Sequence, residues 1–274
     1  MVTEKTTKMT RDSNIELLRI VSMLMILTLH SRFEYIQASY DGIIDANHIC
    51  KFLFEALSIV GVNLFVLISG YFGIQLKLKG IINLLWQIIY IAAICFIIRY
   101  GISLYSGIPL TFNLKWLFPV TNIVWFVPCY IMLMLFSPVF NAFIEKTATR
   151  YLIIYTTALY IISFYWTYIW INKIDGFGGY SWGWFIILYI TGSIIKRMNE
   201  NHCLPSKRKS IFGYLIATGL LVFIVFIQSI TPISRGRDLM WDYSNPIVYF
   251  SSISLFVFFI TPPDGYEQSY QLAC

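Results

Sequence analysis

The chain has 274 residues, of which 58% are hydrophobic, 18% aromatic and only 12% charged, and its mean hydropathy is +0.69. Soluble domains average about 25% charged residues, so this composition excludes an ordinary soluble domain and indicates an integral membrane protein. The net charge is +6, a balance that can report either a polyanionic partner or the orientation of a membrane protein.

Apolar runs of about 20 residues recur along the whole chain, and each is long enough for a helix to cross a hydrocarbon core about 30 Å thick. The runs lack the strict apolar-polar alternation of a transmembrane barrel strand. They predict an all-α, polytopic membrane helical bundle with about eight transmembrane helices. The predicted spans are, in chain order, 15–33, 52–73, 81–104, 123–143, 151–171, 181–198, 211–231 and 245–260.

The basic residues divide unevenly between the two sides of this bundle. With the N-terminus in the cytoplasm, the inner segments contain twelve of the twenty Lys and Arg residues and the outer segments seven, while Arg19 remains inside the first span. Such an excess follows the positive-inside rule. The positive charge therefore indicates orientation rather than a nucleic-acid partner, and residues 1–14 are predicted to be a cytoplasmic tail.

A single membrane domain is predicted over residues 15–260, because the connections between spans are short. After Ile260 the composition changes to a polar stretch that begins with Thr261, Pro262 and Pro263. The two prolines end the last helix. Residues 261–274 are expected to be either a short disordered tail or a truncated or frame-shifted end.

Two ionisable residues lie in the first apolar run, Arg19 near its start and His30 at its end. Eleven helical steps bring their side chains to within about 20° of one face and about 16 Å apart along the axis. An Arg near the bilayer centre costs roughly 2.5–3.5 kcal/mol on insertion scales, so such residues usually face a bundle interior or a wet cavity. The pair is therefore a candidate functional site.

Simpler interpretations of the same residues remain open. Arg19 could extend to the cytoplasmic headgroups, and His30 could be an interfacial residue at the outer end of its helix. Glu16 either pairs with Arg19, three positions later, or only marks the first helical turn.

Several segments together resemble one family. Arg19 and His30 are separated by ten residues, the run GVNLFVLISGY occupies residues 61–71, and Val124-Trp125-Phe126 and Tyr189-Ile190-Thr191-Gly192 follow in later spans. In this combination the chain resembles the acyltransferase-3 family of bacterial multi-pass membrane acyltransferases. The first helix of that family carries an Arg-x10-His motif, and an apolar run in the second ends in Ser-Gly-Tyr or Ser-Gly-Phe. The resemblance covers roughly residues 11–260.

The resemblance implies an O-acyltransferase of the bacterial cytoplasmic membrane. The donor would be acetyl-CoA or another acyl-CoA, and the acceptor a hydroxyl of a cell-surface polysaccharide or lipid-linked glycan. His30 would be the general base, kept neutral by burial. Arg19 would position the donor, since its planar fork suits oxyanions. Lys77 and Lys79 would bind the nucleotide end of the donor, or would only signal topology.

No metal site is predicted, because no intramembrane His recurs with Asp or Glu at ligand spacing. Two other functions stay open. In a transporter or flippase, Arg19 and His30 would line the path of a substrate or proton, although the chain has no internal repeat and no paired Gly or Pro breaks. Since family members typically have more helices, the chain is alternatively an inactive fragment of an acyltransferase.

Overall fold

A computed structural model describes residues 13–30, 46–107, 125–169, 178–230 and 237–262. Within these ranges every regular element is helical. The helices are α1 (Ser13–His30), α2 (Ala46–Ser58), α3 (Gly61–Phe72), α4 (Leu78–Ser106), α5 (Phe126–Lys146), α6 (Thr149–Phe164), α7 (Trp182–Glu200), α8 (Lys207–Ile230), α9 (Arg237–Met240) and α10 (Pro246–Ile260). A π-helical turn, Tyr165–Ile169, continues α6. The predicted all-α fold is confirmed.

Six of the predicted spans coincide with helical stretches that are long and apolar enough to cross a membrane. These stretches are Ser13–His30, Ile49–Phe72, Leu78–Ser106, Phe126–Lys146, Thr149–Ile169 and Lys207–Ser229. The sixth predicted span falls on α7, with 19 residues, and the eighth on α10, a shorter apolar helix of 15 residues. The polytopic membrane architecture is therefore confirmed. The predicted tails at 1–14 and 261–274 lie mostly outside the described residues.

The chain forms two compact units. The first comprises Met1–Tyr71 and Ile195–Cys274, and the second comprises Phe72–Ile194. In the first unit α8 packs extensively along α10 and also against α2, while α1 contacts α2 and α10. In the second unit, aromatic rings join α7 to its neighbours: Phe185 to Phe126 of α5 at 5.3 Å between centroids, and Trp184 to Tyr160 of α6 at 5.9 Å.

The second predicted span is broken into α2 and α3 by a turn at Ile59 and Val60. Hydrogen bonding continues through the turn, because the Ile59 amide donates to the Glu55 carbonyl at 2.8 Å and the Leu64 amide to the Val60 carbonyl at 3.0 Å. The interruption is therefore local, and the backbone groups on either side of it stay paired in the helical pattern.

Gly61, the first residue of α3, lies directly against α1. A Cβ atom at this position would be 3.0 Å from the Met25 Cβ atom, 3.0 Å from the Ser22 carbonyl oxygen and 3.1 Å from the Ile26 Cγ1 atom. Atoms fixed to the α1 backbone cannot yield by changing rotamer. Close contact between α3 and α1 thus depends on the absence of a side chain at Gly61.

Substituting Gly61 by Ala is expected to lower the free energy of unfolding, because overpacking of this kind costs typically about 1–3 kcal/mol. The matched control is Gly101→Ala in α4, where nothing lies within 4 Å of the added atom. There the better helix propensity of Ala is worth about 0.5–1 kcal/mol. Thermal unfolding in detergent should shift the two midpoints in opposite directions, and a Gly61→Ala protein as stable as its parent would contradict the close contact.

Candidate active site

Helix α1 carries the two residues that the sequence singles out. Its buried positions, Ile15, Leu18 and Ser22, recur at helical spacing and form one packed face. The Ser22 hydroxyl donates to the Leu18 carbonyl at 2.7 Å, so the polar group on this face is satisfied within the helix. Because α1 is uninterrupted, Arg19 and His30 keep the ideal separation of about 16 Å along the axis and lie close to one face.

Arg19 forms an ion pair with Glu16 one turn earlier in α1. The Arg19 Nη1 and Glu16 Oε1 atoms are 2.7 Å apart, and the two side chains are 43% and 34% exposed. Of the two interpretations of Glu16, the structure therefore shows the pair. An ion pair this exposed contributes little to stability, about 0–1 kcal/mol. Its main effect is to orient the guanidinium at a position that a ligand can reach.

His30 ends α1 with its side chain exposed, so the expected burial is wrong. Its Nδ1 atom lies 2.8 Å from the carbonyl oxygen of Ile26 in the preceding turn. A carbonyl only accepts, so the hydrogen bond assigns the proton to Nδ1. In the neutral ring Nε2 is then the acceptor. The backbone of α1, rather than burial, selects the tautomer that a general base requires.

Asn63 of α3 joins two segments of the first unit from a fully buried position. Its Nδ2 atom donates to the Tyr243 carbonyl at 3.0 Å and to the Ser252 hydroxyl at 3.0 Å. That hydroxyl donates in turn to the Val248 carbonyl at 2.7 Å. Asn63 therefore fixes the start of α10. Asn63 lies in α3, two residues after Gly61, the residue at which α3 contacts α1.

The turn between α9 and α10 is polar and largely buried. Asp242 accepts from the backbone amide of Ser244 at 2.8 Å and also from the Ser244 hydroxyl. Asn245 caps α10, because its Oδ1 atom accepts from the Ile247 amide at 2.9 Å. With Asn63 on the Tyr243 carbonyl, these side chains supply the partners that a short non-helical segment requires when it is buried.

Glu55 is the one acidic residue in the apolar stretch Ile49–Phe72. Its side chain is half-buried, and within the described part of the chain its carboxylate makes no hydrogen bond or ion pair. Ionisable groups inside membrane spans usually belong to functional sites. Glu55 is therefore a candidate residue of the first unit.

Lys77 and Lys79 belong to the second unit, whereas Arg19 and His30 belong to the first. Lys77 precedes the first residue of α4, and its carbonyl accepts from the Gly80 amide at 2.8 Å. Both lysine side chains are exposed. The position suits the binding of an anion, because the first turn of a helix favours negative charge.

Within the described residues, no group of three or more His, Cys, Asp or Glu side chains is placed to hold a metal ion.

Several polar residues that the structure places in buried contacts or inside a membrane span were not among the sequence-based candidates. Glu55 and Asn63 could have been found as isolated polar residues in an apolar run, the signal that singled out Arg19. Asn141 is also a polar residue in an apolar run, but its pairing with Tyr189 and the backbone of Ile74 could not be predicted, because the partners lie far apart in the chain.

Comparison with known proteins identifies the family. Searches of curated proteins and of solved structures found no match. The sequence profile of the acyltransferase-3 family, described as an acyltransferase domain, matches residues 12–266. The match includes α1 with Arg19 and His30, and it favours acyl transfer over the transporter interpretation. Since it extends over far more than half of the 274 residues, the chain belongs to the acyltransferase-3 family and is a membrane acyltransferase.

Proposed function

We propose that this membrane acyltransferase transfers an acetyl group, or another acyl group, from its CoA thioester to a hydroxyl of a cell-surface polysaccharide or lipid-linked glycan. Its location would be the cytoplasmic membrane of a bacterium, with the N-terminus inside, as the excess of basic residues in the inner segments indicates. His30 would act as the general base, and Arg19 would position the donor.

The hydrogen bond between His30 and Ile26 is the observation that carries this proposal. It assigns the proton to Nδ1 and leaves Nε2 to accept the proton of an incoming hydroxyl. The exposure of the His30 side chain supports the same role, since an acceptor substrate must reach the imidazole.

The reaction balances with His30 as the only proton carrier. Nε2 takes the proton of the acceptor hydroxyl while the hydroxyl oxygen bonds to the thioester carbonyl carbon. The resulting tetrahedral intermediate breaks its carbon-sulfur bond, and the imidazolium returns the proton to the leaving CoA sulfur. The products are the acetyl ester and free CoA, and His30 is neutral again.

Arg19 supports binding of the donor from the inner end of α1. Its guanidinium is oriented by Glu16 and partly exposed. Arg19 and His30 lie about 16 Å apart along one face, so one extended donor could contact Arg19 while its thioester lies at His30. A planar guanidinium binds carbonyl or phosphate oxygens in pairs, which a lysine cannot reproduce.

Lys77 and Lys79 would bind the phosphates at the nucleotide end of the donor. Their ammonium groups are exposed at the start of α4, on the membrane side that the positive-inside rule assigns to the cytoplasm, where acyl-CoA is made available. This assignment predicts that their contribution falls with rising salt, because exposed charges are screened.

Replacing His30 by Ala is expected to lower acetyl transfer by about 10²–10⁴-fold, the usual contribution of a general base. The measurement is transfer of radiolabelled acetyl from acetyl-CoA to glycan in membranes with matched expression. His202→Ala, which removes a histidine from the turn after α7, is the control and should keep the parent rate. Equal labelling in all three proteins would exclude His30 as the base, and absence of labelling in the parent would contradict transfer from acetyl-CoA.

An Arg19→Lys variant should raise the KM for acetyl-CoA about tenfold, because the charge stays while the planar fork is lost. The change in kcat is expected to be smaller, since Arg19 lies far from the reacting atoms. Arg150→Lys provides the control: Arg150 is an exposed arginine that stacks on Tyr151 at 4.7 Å in the second unit. An unchanged KM in Arg19→Lys would refute a donor-binding role for the guanidinium.

A further inference from the structure

A closed ring of hydrogen bonds in the second unit holds the backbone of Ile74. The Ile74 amide donates to the Tyr189 hydroxyl at 2.8 Å. The hydroxyl donates to Asn141 Oδ1 at 2.6 Å, and Asn141 Nδ2 donates to the Ile74 carbonyl at 2.9 Å. Tyr189 lies on α7 and Asn141 on α5, so two helices together bind both polar backbone groups of one residue.

Ile74 needs these partners because it lies outside any helix. Residues 73–77 connect α3 to α4 without regular structure, and Gly73 turns the chain with φ of +74°. Tyr189 has no exposed surface, and its ring lies 6.4 Å from that of Phe140. A rigid, buried tyrosine therefore defines the position of the connecting segment.

The segment held in this way leads directly to the two lysines. Lys77 follows Ile74 by three residues and directly precedes α4, and Lys79 lies in the first turn of that helix. Since three residues span at most about 11 Å, a displacement of Ile74 is passed on to the lysine side chains. The ring of hydrogen bonds, defined by Ile74, Asn141 and Tyr189, thus holds the backbone segment from which the two lysine side chains extend.

We propose that Tyr189 and Asn141 are positioning residues for the acyl donor, which fix Lys77 and Lys79 to receive the phosphates of its nucleotide. The inference rests on the proposed function, because that function assigns the lysines to the donor. It adds a distinction between donors. Binding of a thioester that carries a nucleotide depends on the ring of hydrogen bonds, and binding of a thioester without a nucleotide does not.

The test compares acetyl-CoA with acetyl-pantetheine, which lacks the nucleotide and its phosphates, as donors for purified protein. Tyr189→Phe should raise the KM for acetyl-CoA about tenfold with kcat nearly unchanged, and should leave the KM for acetyl-pantetheine as in the parent. The matched control is Tyr214→Phe, which removes another buried hydroxyl, bonded to the Leu57 carbonyl at 2.8 Å. Its KM for both donors should equal that of the parent.

Equal changes with both donors, or no change with either, would overturn the proposal, because a merely structural role does not distinguish them. Asn141→Leu breaks the same ring from the other helix and should repeat the pattern. It also keeps the test decisive if Tyr189→Phe unfolds, which size-exclusion chromatography would reveal.

Substitution of both lysines by Ala separates this inference from the proposed function. If the lysine variant raises the KM for acetyl-CoA and Tyr189→Phe does not, the lysines bind the donor and the positioning role is wrong. If the lysine variant leaves that KM unchanged, the assignment of the lysines to the donor fails, and the positioning role fails with it.

Discussion

Buried backbone amides and carbonyls need partners from the protein itself, and in a membrane protein this requirement shapes the whole chain. Helices meet it internally, which is why every regular element in the described ranges is helical. Two of the described connections have side chains in place of helical partners, namely the turn before α10 and the segment after α3. Asn63 binds the Tyr243 carbonyl in the first, and Tyr189 and Asn141 bind Ile74 in the second.

The candidate catalytic groups also have partners within the protein. Arg19 is oriented by Glu16 and His30 by the Ile26 carbonyl, so both side chains are directed by α1 itself. Their placement in the protein then depends on where α1 packs. The close contact at Gly61 settles that position within the first unit, since it touches the turn that contains Ile26. A small change at Gly61 should therefore reach His30 without any direct contact.

Much of the fold could be predicted because the bilayer imposes the length of each apolar run. The predicted span 211–231 ends within one residue of the end of α8, Lys207–Ile230. The break of the second span was not predicted, because Ile59 and Val60 are as apolar as their neighbours. Hydropathy reports which residues avoid water and contains no information on where a helix is interrupted.

Contacts within one helix could be anticipated from the sequence, whereas contacts between distant segments could not. The pairing of Glu16 with Arg19 was one of two open alternatives, since residues three apart on a helix are neighbours. The burial expected for His30 was wrong, and its exposed side chain agrees with the other interpretation, an interfacial residue at the end of its helix. In the ring of hydrogen bonds, Asn141 and Tyr189 lie 67 and 115 positions from Ile74 in the chain, and no periodicity relates the three residues.

In the proposed mechanism, acyl transfer depends on Arg19 and His30 sharing one face of α1. Exchanging Leu29 and His30 tests it most directly, because the double variant Leu29→His/His30→Leu keeps composition and hydropathy while rotating the imidazole from about 20° to about 80° away from Arg19. Transfer of labelled acetyl from acetyl-CoA to glycan should be lost in membranes that contain the variant at parental levels. Labelling equal to the parent would contradict the claim.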